Sequence, residues 1–182
     1  MTSDVAAISV GFELIRARER KVHERLLAVV EDLSDEQLAW RPAPRAHSIG
    51  YALWHCARLD DNVRSDLTGT DPVWDQGGYA RRWGHPESGV GTGWEDEQAS
   101  SLPLPPKAEM LEYARRVFSE MDDWASEADD ARLTETVRGR FAHGRETMKG
   151  DALIRSLDHD NRHLGEMEYI KGLLGLRGSS TN

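Results

Sequence analysis

The amino-acid sequence predicts an all-α fold, a four-helix bundle with a long irregular crossover between its second and third helices. Three observations predict it. Four segments repeat apolar residues at helical spacing, no stretch alternates apolar and polar residues long enough to propose a sheet, and the segment from Thr68 to Pro106 keeps neither period.

In the first segment Ile8, Phe12, Ile15, Val22, Leu26, Val29 and Leu33 share one face of a helix expected from about residue 4 to 32, with Glu19 as its polar interruption. Ser34 and Gln37 have the spacing of a capping box, which predicts a short helical turn through Trp40 before Pro42 and Pro44 stop it. The second helix begins near Ser48, whose hydroxyl can accept from a free amide of the first turn. Its apolar face carries Ile49, Leu53, Cys56, Val63 and Leu67, interrupted by Asp60. The third follows Pro105 and Pro106, residues suited to a helix start, and buries Leu111, Ala114, Phe118, Met121, Ala125 and Ala128. The fourth runs from about Gly150 to Leu174, with Leu153, Leu157, Leu164, Met167 and Leu174 inward and Gly175 placed to end it.

Connections in bundles usually take about 2 to 8 residues, and the stretch from Thr68 to Pro106 is far longer. Trp74, Tyr79, Trp83 and Trp94 lie within it, an aromatic load that a disordered linker seldom carries. It is therefore expected to pack over one end of the bundle, with Trp83 and Trp94 as candidates for closing a pocket. The tamer reading is that the tryptophans only anchor the crossover.

With 182 residues and 38% hydrophobic content, residues 1–182 read as a single domain with a real core. The net charge of -9 supplies no broad cationic footprint for nucleic acid or anionic lipid. Met1 is followed by Thr, Ser and Asp rather than by a basic leader, no apolar run is long enough to span a bilayer, and the single Cys56 forms no internal disulfide. A cytoplasmic protein is expected.

His159 and His163 stand four apart on the fourth helix, so both imidazoles lie on nearly one face. With His55 set to zero, the second helix's stripe falls at roughly 80 to 160 degrees; with His159 set to zero, so does that of the fourth helix. Each helix thus carries histidine on the same flank of its core stripe. The neighbours on that flank, Ser48, Ala52 and Leu59 on one helix and Ala152, Ser156 and Ile170 on the other, are small or apolar. Three neutral imidazoles from two helices suit a divalent ion such as zinc with one position open. On geometry alone the competing reading stays open, in which His55 packs and the other two are solvated.

The same residues carry a family resemblance. SIGYALWHCARLDD on the second helix, LDHDNRHLGEMEYIKGLL on the fourth and HGRETMKGDAL before it resemble the signature of the bacterial DinB-like superfamily, which includes thiol-dependent S-transferases. The resemblance runs from LSDEQLAWRPAP onward. It implies a four-helix bundle of unusual connectivity, a divalent metal held by His55, His159 and His163, and a homodimer. Zinc is the first expectation, with nickel, manganese and iron as alternatives. One position departs from the pattern: Glu166 stands where glutamine is common. As the candidate catalytic carboxylate it has three roles open to it, orienting a ligand, joining the metal shell or acting as a base.

Cys56 turns into the apolar stripe and reads as a core residue rather than a nucleophile. His143 in its loop reads as solvated, His85 and His23 as bystanders, and His47 as part of the approach to the second helix. Glu19, Asp60 and Asn161 occupy otherwise apolar positions and are expected to form a buried polar network, unless the helix ends splay and wet them. The acidic runs Met121 to Asp130 and Trp94 to Gln98 read as solvated faces. The resemblance implies, as the expected function, activation of a low-molecular-weight thiol for S-transfer to a small electrophile. A metal-dependent hydrolase and a non-catalytic metal or small-molecule binding module are the alternatives.

Overall fold

Four long helices form where the periodic segments lie: α1 (Val10–Glu31), α3 (Ile49–Thr68), α7 (Lys107–Glu127) and α9 (Lys149–Leu173). The computed structural model describes residues 10–141 and 143–178, so Ile8 and the expected start of the first helix lie outside the described residues. Both α3 and α1 pack along α7 and α9, which places α1 and α3 across the diagonal of the bundle.

The helix ends follow the local chemistry. Ser34 and Gln37 form the reciprocal capping box that starts α2 (Asp35–Ala39), and the Ser48 hydroxyl accepts from the Tyr51 amide at 3.1 Å to start α3. Pro106 precedes α7, and Gly175, at φ 74°, follows α9 in the left-handed conformation that ends it.

The crossover between α3 and α7 is more ordered than its sequence suggests, with three short helices, α4 (Val73–Gln76), α5 (Tyr79–Trp83) and α6 (Asp96–Ser101). Asp61 holds it to α3. This fully buried carboxylate accepts from the Val73 and Trp74 amides, both at 2.8 Å, at the free N-terminal end of α4, and from the Tyr113 hydroxyl at 3.0 Å. Trp74, Tyr79 and Trp83 then pack into the core with Trp54 and Tyr113. The crossover is packed, as its aromatic content predicts, but along a side of the bundle formed by α3 and α7 rather than over the one end that the sequence leads us to expect.

After α7 come α8 (Asp130–Thr134) and a small antiparallel ladder of β1 (Thr136–Val137) and β2 (Thr147–Met148), with Thr136 opposite Met148. The sequence reading proposed no strand, and strands of two residues are too short to show an alternating period.

The apolar interior consists of two clusters. One contains Val22, Leu26, Leu53, Cys56, Phe118, Leu164 and Met167; the other contains Phe12, Val63, Leu67, Met121, Trp124 and Leu153. Along α1, α3 and α9, the buried polar residues Glu19, Asp60, Ser156 and Asp160 fall between the members of these two clusters. Among the described residues no helix is long and apolar enough to cross a membrane.

Candidate metal centre

His55 of α3 and His159 and His163 of α9 meet on the flank of the bundle core. One ring nitrogen from each lies within 4.8 Å of those of the other two. His55 is 7% exposed, and His159 and His163 keep 14% and 13% of their side-chain surface, so the group is recessed without being sealed.

The hydrogen bonds decide which nitrogen each ring offers. The Nδ1–H of His55 donates to the Val90 carbonyl, that of His159 to Asp160 Oδ1 at 3.3 Å, and that of His163 to Glu166 Oε2 at 2.8 Å. An acceptor on Nδ1 leaves the lone pair on Nε2. The Nε2 atoms of His55 and His159 face each other at 2.9 Å. Lone pairs this close repel unless a cation or proton sits among them, so the donor set fits a divalent ion.

Burial pushes the His55 imidazole down to about 3, outweighing the opposing pull of the Val90 carbonyl, and it lowers His159 as well. Neutral rings are the form a metal needs.

The Val90 carbonyl comes from the crossover, placed by the turn through Gly89, Val90 and Gly91. Both glycines are left-handed, at φ 95° and 94°. A Cβ on Gly91 would collide with the Tyr51 hydroxyl, which itself donates to the Gly91 carbonyl at 3.3 Å. Tyr51 in turn stacks on the His55 ring at 6.1 Å. A backbone acceptor of this kind leaves no side-chain signature, and the Gly-Val-Gly run was the signal the sequence reading passed over.

Glu166 stands on the Nδ1 side of His163, and its other oxygen lies 3.4 Å from His47 Nδ1. These two histidines hold its carboxyl down to about 2. Among the described residues the converging imidazole group comprises three side chains, and Glu166 is not one of them. Cys56 is fully buried in the core, and burial pushes its thiol well up, away from the reactive thiolate form.

Trp83 and Trp94 take part in an aromatic cluster beside the centre. Trp94 packs on Trp54 at 5.5 Å, while Trp83 meets Trp74 and Tyr113 and donates to Glu109 at 3.0 Å. His85 joins this cluster against Trp54 and donates to the Pro103 carbonyl at 2.6 Å. His143 is exposed, with the left-handed φ of 51°.

The polar layer behind the centre differs from the sequence reading at Asn161, His23, Asp122 and Asp160, the last buried at 1% exposure. Glu19 and Asp60 are buried as expected, whereas Asn161 lies at the margin, its amide donating to the Leu157 carbonyl and its oxygen accepting from the exposed Arg18 at 3.2 Å. His23, read as a bystander, is 3% exposed and belongs to the layer. Its Nε2 reaches Asp60 Oδ2 at 3.2 Å and its Nδ1 reaches Asp122 Oδ1 at 3.0 Å, so Asp122 is no simple member of a solvated acidic face. Burial opposes the charge on His23, yet the hydrogen bonds to Asp122 and Asp60 carry its pKa well above the ordinary range.

A profile of the DinB superfamily matches residues 20–167 of the chain. No curated protein sequence matches it significantly. Among solved structures, a conserved protein from Enterococcus faecalis superposes with a TM-score of 0.74 at 18% identity, covering 91% of this chain and 96% of its own. A DinB-like protein from Bacillus cereus gives 0.60 at 22% identity over 92% and 93% of the two chains. YfiT from Bacillus subtilis, described as a probable metal-dependent hydrolase with an unusual four-helix bundle topology, gives 0.62 at 12% identity over 96% and 94%. At these identities the likeness is one of fold.

Proposed function

The chain belongs to the DinB superfamily, and from that premise we propose that it is a metal-dependent enzyme that activates a low-molecular-weight thiol for S-transfer to a small electrophile. The observation that carries this reading is the convergence of three imidazoles whose Nδ1 atoms are all committed to acceptors, leaving Nε2 of His55, His159 and His163 to hold a divalent ion, zinc first. Such an ion, when bound, lowers the pKa of a nucleophile beside it, so that a thiol reacts as thiolate near neutral pH.

The chain's own residues do the rest. Val90, Asp160 and Glu166 fix the tautomer and aim of the three rings. Glu166 serves as a positioning carboxylate rather than as the base, because its two histidine contacts stabilise the charged form that holds no proton and attracts one weakly. The crossover reaches the His55 side of the centre through the Val90 carbonyl and, through Gly91, braces the Tyr51 ring stacked on His55.

Hydrolysis is the second reading, favoured by the description of the Bacillus subtilis structure. The two part in one experiment. Protein purified without nickel resin and loaded with zinc is offered a chlorinated aromatic electrophile with a panel of small thiols, and separately an activated ester without thiol. Thiol-dependent thioether formation that disappears in His163→Ala supports the transferase. Ester turnover with no need for thiol replaces it with the hydrolase, and metal binding without turnover in either assay leaves a binding module.

A further inference from the structure

We propose that the bundle interior holds a second divalent-cation site, built by Glu19 and His23 of α1, Asp60 of α3 and Asp160 of α9, separate from the three-imidazole centre. Ligand atoms of His23, Asp60 and Asp160 lie within 4.8 Å of one another, and the three residues are 3%, 0% and 1% exposed. Three helices thus aim donors at one interior point, the way bundles build carboxylate metal sites.

Glu19 supplies the independent observation. It precedes His23 by one helical turn on the same face of α1, is 1% exposed, and neither carboxylate oxygen has a hydrogen-bond partner. Native interiors seldom leave a carboxylate orphaned in this way. The charged groups that face it most strongly are one imidazole, His23, and three further carboxylates, Asp60, Asp122 and Asp160. Arg20 reaches only the rim, 4.0 Å from Asp122 and more than half exposed. Burial pushes the Glu19 carboxyl well up, so that without an ion it keeps its proton, and a cation among Glu19, Asp60 and Asp160 would displace that proton and supply the missing partner.

The donor set also names the class of ion. One imidazole with three carboxylates suits manganese, iron(II) or zinc, and is harder than the all-imidazole centre. On binding, the ion takes the place of the proton on His23 Nε2, while Nδ1–H stays on Asp122 at 3.0 Å, the outer carboxylate that orients a ligating histidine. A cavity of about 360 Å³ between α1 and α7, lined by Arg20, His23, Glu24, Phe118 and Asp122, brings the surface as far as the His23 ring. Asp160 joins the two sites, with Oδ1 on His159 Nδ1 at 3.3 Å and Oδ2 3.8 Å from His23 Nε2.

The test is a manganese titration of the full chain, read by the electron paramagnetic resonance of free Mn²⁺. With the histidine centre disabled by His55→Ala and His163→Ala, about one Mn²⁺ per chain remains bound, and adding Glu19→Gln weakens it at least about tenfold with the helical circular dichroism unchanged. If the disabled protein fails to fold, the same loss is read in an otherwise unaltered chain, where two ions fall to one in Glu19→Gln. No manganese beyond the histidine centre, or binding that neither Glu19→Gln nor Asp60→Asn disturbs, overturns the site. Metal that vanishes in Glu19→Gln but survives His163→Ala would sink the three-imidazole centre and leave this site standing, so the two failures are distinguishable.

Discussion

Two histidine sites lie on either side of Asp160, and they treat the imidazole in opposite ways. At the flank of the bundle, His55 and His159 are buried and their pKa values fall, His55 to about 3. In the interior, His23 is buried more deeply still, yet its pKa rises well above the ordinary range. The difference lies in the second ring nitrogen. His23 has a carboxylate on each nitrogen, Asp122 and Asp60, and both contacts stabilise the cation. His55 and His159 have an acceptor on Nδ1 alone and turn Nε2 toward each other. In this bundle burial disfavours the charge everywhere, and the number of carboxylates decides whether an imidazole becomes a cation or a lone-pair donor.

The largest expected effect follows from that division. Replacing His55, His159 or His163 singly by alanine should weaken the first equivalent of zinc by at least about 100-fold, since ligands matter more than the outer partners whose loss costs about 10–100-fold. His23→Ala should leave that equivalent in place. Equal metal content in all four variants, read by elemental analysis after dialysis, would erase the comparison.

Next comes Asp60→Ala, which strips acceptors from His23 Nε2 and Ser156, breaks one of the two buried carboxylate contacts of His23 and leaves Asp122 as its remaining close partner. Breaking a buried pair costs about 3–5 kcal/mol, and urea unfolding should show a loss of that order. Ser156→Ala should cost about 1 kcal/mol. A mild Asp60→Ala would mean that the interior layer is not held by charge.

The pH dependence of the metal-free protein sharpens the contrast. A depressed folded pKa favours stability above the ordinary histidine value of about 6.5 and costs it as pH falls from there toward about 3, which is the His55 case. A raised folded pKa stabilises below about 6.5 and is lost as pH climbs through the elevated value, which is the His23 case. His55→Gln should therefore flatten the acid limb of the urea-midpoint profile, and His23→Gln the alkaline limb. Exchange of those two outcomes would reverse the assignment.

Smaller effects test how Nδ1 is held. Gly91→Ala forces a side chain into a left-handed turn against Tyr51 and displaces the Val90 carbonyl, which should cost about 1 kcal/mol and about tenfold in zinc affinity. Glu166→Gln keeps an acceptor for His163 and should change zinc affinity by less than about tenfold, whereas Glu166→Leu should reach that loss.

The long elements were legible because each buries a continuous apolar stripe, and the caps at Ser34 and Ser48 because hydroxyls there have a geometric task. Glu19 and Asp60 were legible for the converse reason: a carboxylate inside an apolar stripe must be answered by something in the interior. His23 reads as a bystander and Asp160 draws no attention because both flank their stripes, and their meeting depends on how α1 and α9 pack. Asn161 misled because its margin position shares the stripe's spacing without its burial. The spacing of His55, His159 and His163 placed three rings on facing flanks, but the acceptors that set their tautomers come partly from a backbone carbonyl at Val90, which no side-chain pattern encodes.

The central claim is that three Nε2 atoms hold the first divalent ion and leave a position for a small nucleophile. X-ray absorption at the zinc edge, on protein carrying one equivalent, tests it most directly. The account predicts scattering from three imidazoles and one oxygen ligand, and on addition of a small thiol the replacement of that oxygen by a sulfur at about 2.3 Å. A first shell dominated by carboxylate oxygens, or with fewer than three imidazoles, would contradict it.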